Sequence, residues 1–474
     1  MLRRKSHRTI GFVALLVALF ASVWWWTQTP TEISRWRVTI PYSRFGPIEL
    51  LADLERFPLG TLRLRSSSAA VDALRTLPGA ANKPVRLDEG SWVFVIRRTG
   101  DSIEGVSVAS RAGDRMRISR LDEELISGDI ETGWFKGPFS AERVDDSDAP
   151  LRDYAAMVAA LEQKMKDHLF DRALVDHPAV RTWFDGMKRV AASARDDVDM
   201  ILAAQWAAPE AFPFSHFELK RSAIDVATMS RQFDAMDLPA ANVSLEFRDQ
   251  IGVLTIRRFL GKNTEGLISE AIARARGAQC QGLIVDLRGN PGGAFAIVPL
   301  IQGLLHAPAL GGVFITQTGR AANPSGPGDS AIRALPAWNE TSLLAWWEAL
   351  GSQDMIKIAF TPVDQPFQGL VAIVVDGKTE SAAELATQVL QSSGRAIVVG
   401  EQTPGKMLSA AHFDVGGGFV ASMPVADYLA QGRLRIEGVG VTPDILAATD
   451  DALDVAASEL SLRITEAAHE VVAH

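Results

Sequence analysis

Leu370–Ser392 reads LVAIVVDGKTESAAELATQVLQS. Leu370 to Val375 is a continuous apolar, β-branched run of the kind carried by a strand buried on both faces. Ser381 to Ser392 then sets Ala, Leu and Val at helical spacing. A strand turning sharply into a helix puts Ser381 at the helix N-terminus, where free N–H groups and the positive dipole end face its hydroxyl. An acyl-transfer nucleophile is well placed there, because an oxyanion would form beside the same N–H groups. A plain helix cap fits these residues too: S-x-x-E is a common capping box, with Glu384 as the partner of Ser381.

On either side of this unit, strands alternate with helices. Gly252–Phe259 (GVLTIRRF) reads as a strand, Glu265–Arg276 as a helix, Gly282–Leu287 (GLIVDL) as a strand and Ala296–His306 as a helix. After a long Pro/Gly-rich excursion come Leu370–Val375, the Ser381 helix and the strand Ala396–Gly400 (AIVVG). This order predicts an α/β core built on crossovers. Upstream, Tyr154, Met157, Val158, Leu161 and Met165 form one helical stripe, followed by helical segments at Val180–Val190 and Ala194–Trp206. Still earlier, Arg35–Ile40, Ser91–Arg97, Ser102–Ala109 and Arg115–Ser119 alternate between turn signals and predict a small antiparallel sheet or barrel. The expected organisation is multidomain α+β. Residues 1–30 form a membrane segment, 31–146 a β-rich domain, 150–215 a helical domain and 216–474 an α/β catalytic domain.

Composition narrows the function. A chain of 474 residues is too long for one ordinary core. A net charge of −9, with no basic stripe interleaved with aromatics, argues against nucleic-acid binding. The single cysteine, Cys280, permits no internal disulfide and no cysteine-based metal site. No metal-ligand spacing, Walker loop or dinucleotide fingerprint occurs, so no cofactor is implied. The N-terminus differs in kind: Met1–Arg8 carries four fixed positive charges and Ile10–Trp26 carries none. This pattern predicts a cleaved secretory signal or, in better accord with Trp24, Trp25 and Trp26 at the outer interface, an uncleaved signal anchor, with the remainder of the chain outside the cytoplasm. The expected location is the inner (cytoplasmic) membrane, crossed once, with the catalytic domain periplasmic or otherwise extracytoplasmic.

Three further segments fall where an acyl-transfer site needs them. Asp286–Gly293 (DLRGNPGG) leaves the C-terminal end of an apolar strand, and its side-chain-free backbone can offer N–H groups to an oxyanion, or simply turn. Gly400–Lys406 (GEQTPGK) leaves the next strand and brings Lys406 to the same sheet edge, as a base if partly buried or as a solvated loop lysine. Arg435–Asp444 (RIEGVGVTPD) closes the core with Glu437 in a Gly-rich loop.

Taken together, GLIVDLRGNPGG, VVDGKTESAAELATQVL, AIVVGEQTPGK and IEGVGVTPDI, in this order, resemble the C-terminal processing (tail-specific) serine peptidase family. The resemblance covers about Ile251 to Ile445. It implies a ClpP/crotonase-like α/β catalytic domain, protein or peptide substrates and Ser381 as nucleophile. Its branches imply different bases. In the processing-peptidase branch Lys406, twenty-five positions after Ser381, would form a serine–lysine dyad, but Ala410 stands where the dyad's glutamine helper is expected. In the branch typified by the tricorn core protease, Ser215-His216 and the late Glu437 would complete a tetrad, with His216 as base and Ser215 and Glu437 positioning it. The motifs fit the His216 scheme better, with Lys406 in an electrostatic role and His412 a weaker competitor. Gly292 or Gly293, together with the Ala382 N–H, would hold the oxyanion. The family's PDZ module has no room between His216 and Gly252. A non-catalytic ligand- or protein-binding member of the same fold is the alternative. A crotonase-type acyl-CoA enzyme lacks the adenine-nucleotide pocket it would need.

Overall fold

The computed structural model describes residues 29–43, 45–66, 68–80, 92–107, 114–132, 135–145 and 149–473. All but the last two residues of the expected membrane segment lie outside these. Among the described residues, no helix is long and apolar enough to cross a membrane.

Eight antiparallel strands close into a barrel: β1 (Glu32–Ile40), β2 (Ile48–Arg56), β3 (Leu62–Ser66), β4 (Trp92–Thr99), β5 (Ser102–Ser107), β6 (Arg115–Leu121), β7 (Leu125–Glu131) and β8 (Lys136–Arg143). Trp36, Val38 and Ile40 of β1 and Ile48, Leu50, Ala52 and Leu54 of β2 recur at every second position and are buried. Pairing of β1 with β8 closes the ring and leaves no open edge. The strands that local alternation left unread include β7 and β8, whose Gly128, Gly137 and Pro138 depress strand propensity.

Three helices follow, Tyr154–His168, Pro178–Ala191 and Asp197–Trp206. The whole stripe Tyr154, Met157, Val158, Leu161 and Met165 is buried. Asp197, fully buried, joins this region to its neighbours. Its carboxylate accepts from Glu49 N on β2 at 2.9 Å, Arg152 Nε at 2.9 Å and Tyr154 OH at 3.0 Å. It also lies 3.0 Å from Arg221 Nε.

Arg221 ends β9 (Glu218–Arg221), the strand that begins just after His216. The core that follows holds two sheets. In the first, β10 (Val243–Arg248), β11 (Ile251–Ile256), β12 (Gly282–Asp286), β15 (Leu370–Val375), β16 (Ile397–Gly400) and β19 (Ile445–Leu446) lie in that order, parallel from β11 onward. The second has the order β14-β13-β18-β17, from β13 (Ala309–Thr316), β14 (Met355–Phe360), β17 (Leu408–Gly416) and β18 (Phe419–Ala430), with β9 paired to β18. The helix Ala382–Ser392 packs against both sheets and is buried from Ala382 to Leu390. The C-terminal helix Ala452–Ala473 covers the outer face of the parallel sheet through Ala452, Ala456 and Leu460. Each parallel strand therefore faces apolar residues on both sides, which is why LVAIVV and GLIVD carry no alternation. The excursion read as irregular holds β13, β14 and the helices Gln317–Ala322, Asp329–Ala334 and Leu343–Ser352.

Candidate active site

The loops leaving β12, β15 and β16 emerge side by side, because these strands are parallel neighbours with Asp286 opposite Val374 and Val375 opposite Gly400. Side chains from residues far apart in the chain meet at this carboxyl edge.

Ser381 occupies the bend between β15 and its helix at φ 59° and ψ −121°, a backbone region L-residues seldom adopt. The Glu384 side chain holds it there. Its N–H donates to Glu384 Oε2 at 3.0 Å, the reach-back half of a capping box. Glu384 also accepts from Thr403 Oγ1 at 2.6 Å and from the N–H groups of Gly405 and Lys406, each at 2.8 Å. Burial raises the Glu384 carboxyl above its ordinary range, and these four donors oppose that rise. A single buried carboxylate thus ties the serine bend to the loop after β16.

The Ser381 hydroxyl is directed to a histidine: His216 Nε2 lies 3.1 Å from Ser381 Oγ. His216 also has a positive φ, 64°. On the far side of the ring, Nδ1 lies 2.7 Å from Ser215 Oγ, which donates to Glu437 Oε2 at 3.0 Å. Glu437 is 4% exposed and also accepts from Ser215 N at 2.8 Å and Met407 N at 2.6 Å. One proton arrangement satisfies the series. Ser215 has a single hydroxyl hydrogen and gives it to Glu437, so His216 must carry its proton on Nδ1 and donate it to Ser215 Oγ. Nε2 is then unprotonated and accepts from Ser381. Burial, reinforced by the Lys406 charge, lowers the His216 pKa to about 4 and keeps the ring neutral near pH 7. Burial raises the Glu437 carboxyl, against the hydrogen bonds from Ser215 and Met407.

The two candidate bases are therefore placed differently. Lys406 Nζ pairs with Glu380 Oε1 at 2.7 Å and its side chain is half-exposed. It is not hydrogen-bonded to Ser381, so this geometry does not form the alternative serine–lysine dyad. His412 is also apart: its ring packs on Trp347, with centroids 4.8 Å apart.

The glycine turn abuts the serine bend. A Cβ at Gly292, where φ is +87°, would lie 2.7 Å from both Ser381 Cβ and Glu380 O, so only glycine allows this approach. The Gly292 N–H, however, donates to Asn290 Oδ1 at 2.8 Å. The expectation that Gly292 could supply an oxyanion donor is corrected accordingly, since its hydrogen is already committed. Gly293 N and Ala382 N have no hydrogen-bond partner among the described residues. Both residues line the same cavity as Ser381, which makes them candidate oxyanion donors.

Sequence reasoning missed the role of Asn290, and of Glu384 it read the capping contact with Ser381 but not the bonds to the loop after β16. Asn290 is fully buried, and its Nδ2 donates to Ile256 O at 2.9 Å while its Oδ1 fixes Gly292. Both residues lay inside segments already singled out, but their partners are set by the fold. Among the described residues, no group of three or more His, Cys, Asp or Glu could hold a metal ion.

Residues 250–447 match the family described as Peptidase family S41. Over 196 residues the chain is 26% identical to the carboxyl-terminal-processing peptidase 2, chloroplastic, of Arabidopsis thaliana, covering 41% of this chain and 31% of that one. It is 27% identical over 219 residues to the carboxyl-terminal-processing protease of Synechocystis sp., covering 46% and 43% of the two chains. The chain thus spans between about a third and under a half of the length of these relatives. Among solved structures, the photosystem II D1 C-terminal processing protease aligns at 15% identity and a TM-score of 0.40, over 63% of this chain and 94% of that one. Ser381, Glu437 and the glycine turn lie inside the matched segment, whereas Ser215 and His216 precede it. Through residues 250–447, the chain is thus similar to peptidase family S41 and to the carboxyl-terminal-processing peptidases.

Proposed function

We propose that this protein is a serine endopeptidase that hydrolyses peptide bonds of protein substrates through an acyl-enzyme on Ser381. Ser381 Oγ attacks the scissile carbonyl as His216 Nε2 takes its proton. The Gly293 and Ala382 N–H groups receive the developing oxyanion. His216 then gives the proton to the departing amine, leaving the acyl group esterified to Ser381. A water, deprotonated by the same nitrogen, attacks that ester and restores the hydroxyl. Ser215 and Glu437 orient the imidazole and favour the imidazolium form, because the Nδ1 proton is held by a hydroxyl that is itself polarised by a carboxylate.

The observation that carries this reading is the unbroken run of hydrogen bonds Ser381–His216–Ser215–Glu437, beside two uncommitted N–H groups. A non-catalytic binding member of the fold would need neither the strained serine nor the relay. The test is incubation of the purified chain with casein and, separately, with a fluorophosphonate. Casein fragments and an adduct on Ser381 are expected, and both vanish in Ser381→Ala. A folded protein giving neither favours the binding reading.

The membrane anchor belongs to the same proposal. It is supported by the four positive charges of Met1–Arg8, ahead of the uncharged Ile10–Trp26. Such a segment would fix the protein in the inner membrane with the peptidase outside the cytoplasm. Cell fractionation, combined with protease digestion of intact spheroplasts, checks it: the chain should sediment with membranes and be degraded from outside.

A further inference from the structure

The segment between β12 and β15 contributes nothing to the relay, yet it builds much of a cavity of about 500 Å³ that opens directly on it. Ser381, Ala382, His216 and Gly293 line it. Much of the remaining lining is aromatic and centred on Trp346, in the helix Leu343–Ser352. Trp346 packs edge-on against Phe314, Phe295 and Trp338, with ring centroids 5.1, 5.8 and 5.3 Å away. Its indole N–H donates to Ser409 Oγ at 2.8 Å, and that of Trp347 to Ala410 O at 3.1 Å, so both rings are fixed to β17. The helix itself is pinned at its start: Ser342 Oγ and Leu343 N donate to the two oxygens of Asp234, at 2.9 and 2.8 Å. The lining contains one carboxylate, Glu340, and no lysine or arginine.

We propose that this cavity selects the residue on the acyl side of the scissile bond, accepting a large aromatic or branched aliphatic side chain there. The inference rests on the hydrolytic reading of Ser381 and adds the class of substrate. When the carbonyl oxygen lies at Gly293 N and Ala382 N, the side chain of the same residue sits next to this apolar space. A rigid aromatic wall rewards buried apolar area and contributes no cation to hold an acidic side chain. Alanine or glycine would leave the cavity mostly unfilled, and aspartate or glutamate would lose hydration without gaining a partner. Val298, on the helix Ile297–Leu304, lines the same space outside the relay. A phenylalanine at that position would occupy part of the volume.

The experiment uses the full chain and a series of internally quenched peptides differing only at the acyl-side residue. Kcat/KM with Phe, Trp or Leu is expected to exceed that with Ala, Gly, Asp or Lys by at least about tenfold. Val298→Phe should lower the Phe/Ala ratio at least about fivefold, read as a change in the ratio and not in the overall rate. A flat profile, a preference for small or charged residues, or an unaltered ratio in Val298→Phe overturns the proposal. A separate arm does not depend on catalysis. In Ser381→Ala, N-acetyl-phenylalaninamide should quench tryptophan fluorescence saturably, and the alanine analogue should not. Quenching without fluorophosphonate labelling of the wild type would refute hydrolysis yet leave the pocket standing. Labelling without quenching, and with a flat peptide profile, would refute the pocket alone.

Discussion

Ser215 Oγ lies 2.7 Å from His216 Nδ1, so the group that orients the imidazole is the hydroxyl of the preceding residue, and the carboxylate of Glu437 acts through it. Adjacent residues can meet in this way because His216 has a positive φ. Replacing Ser215 by alanine removes the acceptor for the Nδ1 proton without touching the nucleophile. We expect kcat to fall by about 10- to 1000-fold with KM little changed, less than the loss in Ser381→Ala. Steady-state kinetics on one peptide substrate checks this, and Ser215→Thr, which keeps the hydroxyl, should recover part of the loss.

Lys406 acts at a distance in this site. Its charge helps burial to hold the His216 pKa near 4. In Lys406→Met the imidazolium loses a repulsive neighbour, so its pKa should rise, and the acid limb of kcat/KM should move to higher pH. Activity on the neutral plateau should survive. A pH–rate profile of the two proteins measures the shift, and a move to lower pH would contradict the assignment. The same depressed pKa has a consequence for stability. Between the folded value of about 4 and the unfolded value near 6.5, the unfolded chain binds the proton more readily, so the contribution of a neutral His216 is present above about pH 6.5 and lost as pH falls through that window.

Asn290 supports the oxyanion turn from beneath. Asn290→Ala would leave Gly292 N and Ile256 O without their side-chain partner in a buried site. A cost of about 1–3 kcal/mol is expected. Urea denaturation gives the stability loss. Kcat should drop as well, because the turn that positions Gly293 N is no longer fixed.

Asp197 connects the barrel, the helices and the strand that follows His216. Removing its carboxylate strands Arg221, which is 8% exposed, beside Arg152. Asp197→Ala is expected to destabilise the protein by about 3–5 kcal/mol, the range for breaking one side of a buried ion pair. Limited proteolysis should find residues 145–150, between the barrel and the first of the helices, cut faster than in the wild type.

Much of the fold was legible because the parallel strands are covered on both faces. Leu370–Val375 and Gly282–Asp286 are unbroken apolar runs, and the buried stripe of Tyr154–His168 recurs at helical spacing. The segment 307–369 resisted reading because β13 contains Gly311 and Gly312, and β14 is recognisable mainly through its pairing with β13. In the site, Ser381, His216, Ser215 and Glu437 could be named from motifs, which favoured His216 over Lys406 without fixing the choice. That choice depends on which cation or ring reaches the hydroxyl, and Glu380 decides it by pairing with Lys406. Gly292 and Gly293 are equivalent in the sequence. Only the bond from Gly292 N to Asn290 separates them.

The most direct test compares cleavage of one peptide by the wild type, Ser381→Ala, His216→Ala and Lys406→Ala, each confirmed as folded by circular dichroism. The account predicts a loss of about 1000-fold or more in both Ser381→Ala and His216→Ala, with Lys406→Ala remaining within about tenfold of the wild type. An active His216→Ala alongside an inactive Lys406→Ala would contradict it.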